Sequence, residues 1–193
     1  MPTFIFVRHG ETADNVDRKL QGWGDPELTD HGRVQAAQIA DNLHDERPDI
    51  IFASDLVRCQ QTASYIHGAY QNAPLLIDWR LRERSFGTLE GSRHDEIDWG
   101  AFDATPPDQS PHGAEPINNL VERLKSFIRE TELFFSSTII VITHNGVMNR
   151  FGFMFDKNHT HQKYKNTEIV RLEINYDDPR LAPHTYSAWE PQE

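Results

Sequence analysis

A single cysteine, Cys59, supplies the only thiol in this chain. No internal disulfide can form, and a reducing compartment is expected. Long apolar runs are missing as well. No stretch of 18 apolar residues occurs, so no transmembrane helix is expected. No basic segment with an apolar signal core precedes the first apolar strand, and the expected location is the cytoplasm. Positive charge is scarce: 19 Lys and Arg stand against 30 Asp and Glu, a net charge of −11. That surface argues against nucleic-acid backbones and anionic membranes as partners. An anionic substrate would need a local positive island. Repeats and low-complexity segments are absent too. A chain of 193 residues with 37% hydrophobic and 25% charged content predicts one soluble domain over 1–193, with a loose tail from about residue 178.

What is present alternates between strand and helix patterns. Phe4-Ile5-Phe6-Val7 reads as a short buried strand. Thr29 or Asp30 can cap a helix over residues 31–43, with Val34, Ala37, Ala40 and Leu43 at helical spacing. Ile50-Ile51-Phe52-Ala53 is a second strand. A helix follows it through about residue 67, with Leu56, Cys59, Ala63 and Ile66 inward. Leu75-Leu76-Ile77 is a third strand. Residues 78–116 are irregular apart from a helical piece near 95–102, and a segment that long inside a compact domain points to function. A helix over residues 117–134 carries the stripe Ile117, Leu120, Val121, Leu124, Phe127 and Ile128. Residues 138–143 form the strongest strand, a helix starts near Val147, and residues 168–174 alternate Val170, Leu172 and Ile174 as a last strand. This order predicts an α/β three-layer sandwich, a mainly parallel central sheet with helices on both faces.

Polar residues gather where the strands stop. The first strand runs into Arg8-His9-Gly10, with Thr12 and Asn15 close behind. The second leads to Ser54 and, a helical turn on, Arg58. The third region leads to Glu83, and the strongest strand ends in His144. In a parallel sheet these points share the carboxyl edge, where ligands bind. Two arginines, two histidines and a carboxylate then form the positive island that the composition demands. Taken singly, each residue has a blander reading. Arg58 fits a helix-surface cation, Glu83 a solvated pair with Arg82 or Arg84, and His144 a structural cap.

The motifs together resemble branch 1 of the histidine phosphatase superfamily, the branch that contains cofactor-dependent phosphoglycerate mutase. Arg8-His9-Gly10-Glu11-Thr12 with Asn15 is similar to its signature. Gln21-Gly22-Trp23 through Asp25, Leu28 and Gly32 follows its next block. Residues 54–63, with Arg58, resemble its second arginine motif. Residues 81–91 resemble its acid loop, residues 141–146 its second histidine motif, and Asn166-Thr167 a late one. The acid loop is most similar to the small broad-specificity and fructose-bisphosphatase-type phosphatases. The stretch between Glu83 and His144 is shorter than a mutase would carry. Asp14 stands where many members have an aromatic residue, and Gly113-Ala114-Glu115-Pro116 replaces Gly-Gly-Glu-Ser. Both departures bear on substrate identity.

The resemblance implies a phosphomonoesterase that works through a phosphohistidine. Phosphoryl transfer spreads charge over three oxygens, so positioning and positive charge do most of the work. His9 is the expected nucleophile, its other ring nitrogen held by a backbone carbonyl. Arg8 and Arg58 grip phosphate oxygens, and His144 donates to another, as an imidazolium. Asn15 and Thr12 add polar donors, and Gln21 and Gly22 line the substrate side. Glu83 is the expected general acid, then the base that activates water. No metal and no cofactor are expected. Asp156, His159 and His161 lack a recognisable ligand spacing. Cys59 has Tyr65 where a cysteine phosphatase needs an arginine, so that mechanism fails and Cys59 is assigned to the core. Glu11 and Glu90 are assigned structural roles. Glu115 and Arg123 can face substrate, although Arg123 on a charged helix face is expected to be exposed.

Two rival functions follow from the same residues: a phosphoglycerate mutase, and a non-enzymatic module that binds phosphorylated partners. The partner in each case carries a phosphoryl group. Which phosphomonoester is taken, and the oligomeric state, are not specified by the sequence.

Overall fold

The computed structural model describes residues 1–134, 138–156 and 158–182. Its centre is a five-stranded sheet of β1 (Thr3–Arg8), β2 (Ile50–Ala53), β3 (Leu75–Ile77), β4 (Thr138–Thr143) and β5 (Ile169–Glu173). The spatial order is β3-β2-β4-β1-β5. The first four strands are parallel, and β5 joins β1 antiparallel at the edge. The described helices are α1 (Ala13–Val16), α2 (Asp30–Asn42), α3 (Val57–Ala69), α4 (Trp99–Asp103), α5 (Ile117–Thr131) and α6 (Asn145–Phe155).

The handedness of crossovers places the layers. From β1 to β2 to β3 the chain moves toward one edge of the sheet; from β3 to β4 it moves back. Right-handed connections that travel in opposite directions put their helices on opposite faces. The side chains agree. Ile5, Val7, Ile51, Ala53, Ile140 and Ile142 pack with Ile39, Leu43, Cys59, Ala63 and Ile66 of α2 and α3 and the turn after α2. Phe4, Phe6, Ile50, Phe52, Ile139 and Val141 pack with α5 and α6 on the other face. Period-two alternation in each strand splits the apolar run between two cores. The three-layer α/β sandwich is therefore observed.

Four expectations need correction. In α2 the buried residues are Gly32, Ala36, Ile39 and Ala40, whereas Val34 and Ala37 face solvent. The cause is Gly32. A Cβ there would clash with the Glu11 carbonyl, so that close backbone approach sets the rotation of the helix. Second, α6 begins at Asn145, directly after His144. Third, the 117–134 helix is α-helical to Thr131 and then tightens into a 3-10 turn over Glu132–Phe134. Fourth, the tail is docked at its start: Leu181 is buried in the core, and its carbonyl accepts from Arg129 Nη1 at 2.6 Å. Residues 183–193, which include the rest of the expected loose tail, lie outside the described residues. The 78–116 segment holds α4 and short 3-10 turns, the first at Trp79–Leu81.

Candidate active site

The register of two neighbouring strands builds the centre. Arg8 pairs with Thr143, the last rung of the β1–β4 ladder. His9 and His144 each follow by one residue, so they leave the sheet side by side. Their ring centroids are 5.2 Å apart, and both are buried. His9 N–H donates to the Thr143 carbonyl at 3.0 Å, which extends the ladder one step into the site.

His9 Nδ1 lies 2.8 Å from the Gly10 carbonyl. A carbonyl only accepts, so Nδ1 carries the proton and Nε2 keeps its lone pair. This is the carbonyl contact expected from the sequence. Burial, then Arg58 and Arg8, hold the His9 imidazole well below the usual histidine range. His144 Nε2 is 3.1 Å from Ser54 Oγ and 3.4 Å from Cys59 Sγ. Burial, then Arg58 and His9, keep its ring well below that range too. These surroundings favour the neutral ring at His144. Cys59 is core, with its thiol pushed up to about 12 by burial.

Arg58 is buried on the first turn of α3. Its Nη1 donates to the Gly24 carbonyl at 2.6 Å and Nη2 to the Gly22 carbonyl at 2.8 Å. Gly22 thus serves through its backbone, by anchoring a cation. Asp25 Oδ1 in the same loop accepts from Val57 N–H at 2.6 Å and caps α3 from outside, where Leu56 offers no side-chain cap. Arg8 Nη1 donates to the Tyr164 carbonyl. The Nε of both arginines is buried and unpartnered, and burial lowers the basicity of both guanidiniums. Each remains charged and holds a donor in reserve.

Asn15 accepts at Oδ1 from Thr12 N–H at 3.1 Å and from Asn166 Nδ2 at 3.1 Å. Asn166 Nδ2 also reaches the His9 carbonyl at 3.0 Å, so the late motif braces the first. Thr12 is fully buried in a capping box with Asn15; its hydroxyl is spent on α1 and does not join the anion hollow. Gln21 Oε1 is buried without a partner. Glu11 Oε1 accepts from Thr29 Oγ1 at 2.9 Å, and Glu90 Oε1 from Trp23 N–H at 3.0 Å and Phe86 N–H at 2.9 Å. These bonds give both carboxylates loop-holding roles.

Glu83 meets α6. Its Oε2 accepts from Gly146 N–H at 3.0 Å and its Oε1 from Arg84 N–H at 2.9 Å. A Cβ at Gly146 would clash with Oε1; only glycine admits the carboxylate this close to the helix start. The solvated pairing with neighbouring arginines does not occur. Arg82 is engaged by Asp55 at 2.8 and 2.6 Å, and Arg84 Nε donates to the Glu115 carbonyl at 2.7 Å.

The exposure expected for Arg123 is wrong. It is buried, paired with Glu115 at 2.8 Å through both Nε and Nη2. Nη2 also reaches the Glu83 carbonyl at 3.0 Å, and Nη1 the Arg80 carbonyl. Trp23 Nε1 donates to the same Glu83 carbonyl at 2.8 Å. The eight-residue spacing of Glu115 and Arg123 was the one available signal. Among Asp156, His159 and His161, His159 Nε2 sits 3.3 Å from Asn149 Oδ1, tying the loop after α6 to that helix.

The family model of the histidine phosphatase superfamily (branch 1) matches residues 4–185. A probable phosphatase of Schizosaccharomyces pombe is 33% identical over 187 residues, covering 90% of this chain and 87% of its own. A 2,3-bisphosphoglycerate-dependent phosphoglycerate mutase of Bifidobacterium longum is 29% identical over 212 aligned positions, covering 92% of this chain and 84% of its own. The solved structure of Bacillus stearothermophilus YhfR superposes with a TM-score of 0.77 at 28% identity, covering 91% of this chain and 92% of that one.

Proposed function

The chain belongs to branch 1 of the histidine phosphatase superfamily, and on that premise we propose that it is a metal-independent phosphomonoesterase acting on a small phosphorylated metabolite. The observation that carries the reading is the pairing of a buried neutral His9, its Nε2 lone pair free by virtue of the Gly10 carbonyl, with Arg8 and Arg58, whose buried Nε donors are unspent.

In the first step His9 Nε2 attacks phosphorus. The P–O bond to the alcohol breaks, and Glu83 gives its proton to the departing oxygen. Arg8, Arg58, His144 and the Asn15 amide hold the three non-bridging oxygens, where charge develops. A dianion in the hollow offsets the arginine field on His144 and lets that ring take a proton and donate. In the second step Glu83 takes a proton from water, the water oxygen attacks phosphorus, and the P–N bond breaks to release phosphate. Gln21 and Gly22 bound the substrate side, and residues 1–193 are read as one such domain. The acidic surface supports a small-molecule partner rather than nucleic acid or membrane, and the lone cysteine supports a cytoplasmic location. No helix among the described residues is long and apolar enough to cross a membrane.

Hydrolysis is preferred over mutase chemistry because alignment to the bifidobacterial mutase needs 212 positions, more than this chain's 193 residues. The mutase therefore carries residues that this chain lacks. A brief exposure to a labelled phosphomonoester should give acid-labile phosphoprotein that decays to inorganic phosphate. His9→Ala should lose the label and at least about 10⁴-fold in turnover. Label passing to 3-phosphoglycerate instead of water would make it a mutase, and no label at all would leave only a binding module.

A further inference from the structure

Asn149 is buried on the second turn of α6, and no step of the chemistry above employs it. A buried amide is a cost unless its donors and acceptor are met. Here they are. Nδ2 donates to the Asn145 carbonyl at 2.9 Å and to the Gln162 carbonyl at 2.7 Å. Oδ1 accepts from Gln162 N–H at 2.7 Å and lies 3.3 Å from His159 Nε2. A backbone N–H only donates and a carbonyl only accepts, so the pairing with Gln162 fixes which way the amide points. Asn149 holds the backbone of residue 162 at both its N–H and its C=O, as a neighbouring strand would.

The segment it holds leads from α6 to β5. Residues 160–163 are exposed there and lie outside any strand or helix, so neither core packing nor a ladder sets their course. One face of α6 does so instead. Asn145, Asn149 and Gly152 lie at i, i+4 and i+7. Gly152 admits the His159 ring, which a Cβ there would strike. Asn149 grips residue 162. Asn145 Oδ1 accepts from Tyr164 N–H at 2.9 Å. The Tyr164 side chain is buried in the core, and its carbonyl accepts from Arg8 Nη1. Residue 164 is therefore committed on both sides, its N–H to α6 and its C=O to the end of β1.

A guanidinium is a rigid plane with five donors. Tying down Nη1 sets the rotation of that plane, and with it the direction of the unspent Arg8 Nε. We propose that Asn149, together with Asn145, is a positioning residue for Arg8: by setting the course of residues 159–164 it places the Tyr164 carbonyl that aims the Arg8 guanidinium at the phosphoryl group. The proposal rests on the phosphatase reading above, in which Arg8 grips phosphate, and adds to it a residue that never touches substrate. Helix α6 then serves both sides of the grip. His144 immediately precedes it, and its first two turns orient Arg8.

The test is a double-mutant cycle between Asn149→Leu and Arg8→Met in the full chain. Asn149→Leu keeps the approximate shape of the side chain and removes its contacts to Asn145, His159 and Gln162. Turnover is followed on an alkyl phosphate and on p-nitrophenyl phosphate. Asn149→Leu alone should lower kcat/KM by roughly 10-fold, a part of what losing a phosphate donor outright would cost. The loss should be equal on the two esters, because proton donation to the leaving group is not involved. In the Arg8→Met background the same change should cost less than about twofold. Asn145→Ala, which removes the bond to Tyr164 N–H, should show the same dependence on Arg8, and it carries the test should the Leu variant not fold. Equal losses with and without Arg8, or no loss in either variant, overturn the positioning role. No phosphate release and no acid-labile phosphoprotein overturn instead the phosphatase reading. Calorimetric binding of vanadate then decides the positioning: an affinity unchanged by Asn149→Leu overturns it, and a loss that vanishes without Arg8 sustains it.

Discussion

His9 and His144 stand one residue past the last ladder pair of β1 and β4, whereas Glu83 stands in the long irregular connection between β3 and α5. The proposed nucleophile side is fixed by sheet register, which cannot slip by one residue without turning both cores inside out. The acid side has no ladder. Its backbone is held by single side-chain donors, Trp23 Nε1 and Arg123 Nη2 on the Glu83 carbonyl, and its carboxylate by two N–H groups. On the proposed reading, the half that brings phosphate and nucleophile together is inherited from the fold. The half that meets the variable alcohol is assembled from loop contacts, which can differ without cost to the sheet.

Glu83→Gln should produce the largest separation of the two halves. Alkyl phosphates should lose about 10²–10⁴-fold in kcat, while p-nitrophenyl phosphate, whose leaving group departs unassisted, should lose far less. Parallel losses on both substrates would remove Glu83 from proton transfer and erase the distinction drawn here.

Arg123→Met should act next. It leaves the Glu115 carboxylate buried and unpaired, at a cost of roughly 3–5 kcal/mol in urea unfolding. It should also carry part of the Glu83→Gln signature, slowing alkyl phosphates by roughly 10-fold more than the aryl ester. Adding Glu115→Gln should restore much of the stability without restoring alkyl turnover. Recovery of both together would reduce Arg123 to a packing role.

The smallest effect probes the nucleophile side. His9 and His144 are held neutral by burial and neighbouring arginines, below the usual histidine value. An unfolded histidine takes up its proton near pH 6.5. Below that pH the unfolded chain binds more protons, so stability is complete above about 6.5 and falls as pH drops toward the lower folded values. The slope is about 1.4 kcal/mol per pH unit for each ring. Urea midpoints between pH 7 and 5 should show it, and His9→Gln should remove one ring's share. A variant with an unchanged slope would contradict the buried neutral His9.

The same division explains what the sequence revealed. Apolar strands ending in charged residues located His9, Arg58 and His144, because a period-two run and a parallel sheet leave one edge for them. Four features escaped. The rotation of α2 turns on a backbone contact at Gly32, which outweighs the spacing of Val34 and Ala37. Arg123 looked solvent-facing because helical periodicity knows nothing of a carboxylate eight residues upstream folding over it. Thr12 resembled an anion donor, but a capping hydroxyl serves its own helix first. The antiparallel run of β5 has no signature in residues 168–174, since edge strands of either direction alternate alike.

Cys59 lies beneath His144 with its sulfur 3.6 Å from the Thr143 carbonyl and its thiol pushed up to about 12. Alkylating reagents need a thiolate and a path to it, and the folded chain offers neither. The native sulfur is therefore chemically silent, so a cysteine placed on the surface would be the sole reactive handle for a fluorophore or spin label. Only unfolding uncovers the buried thiol, and its rate of modification would then count those excursions.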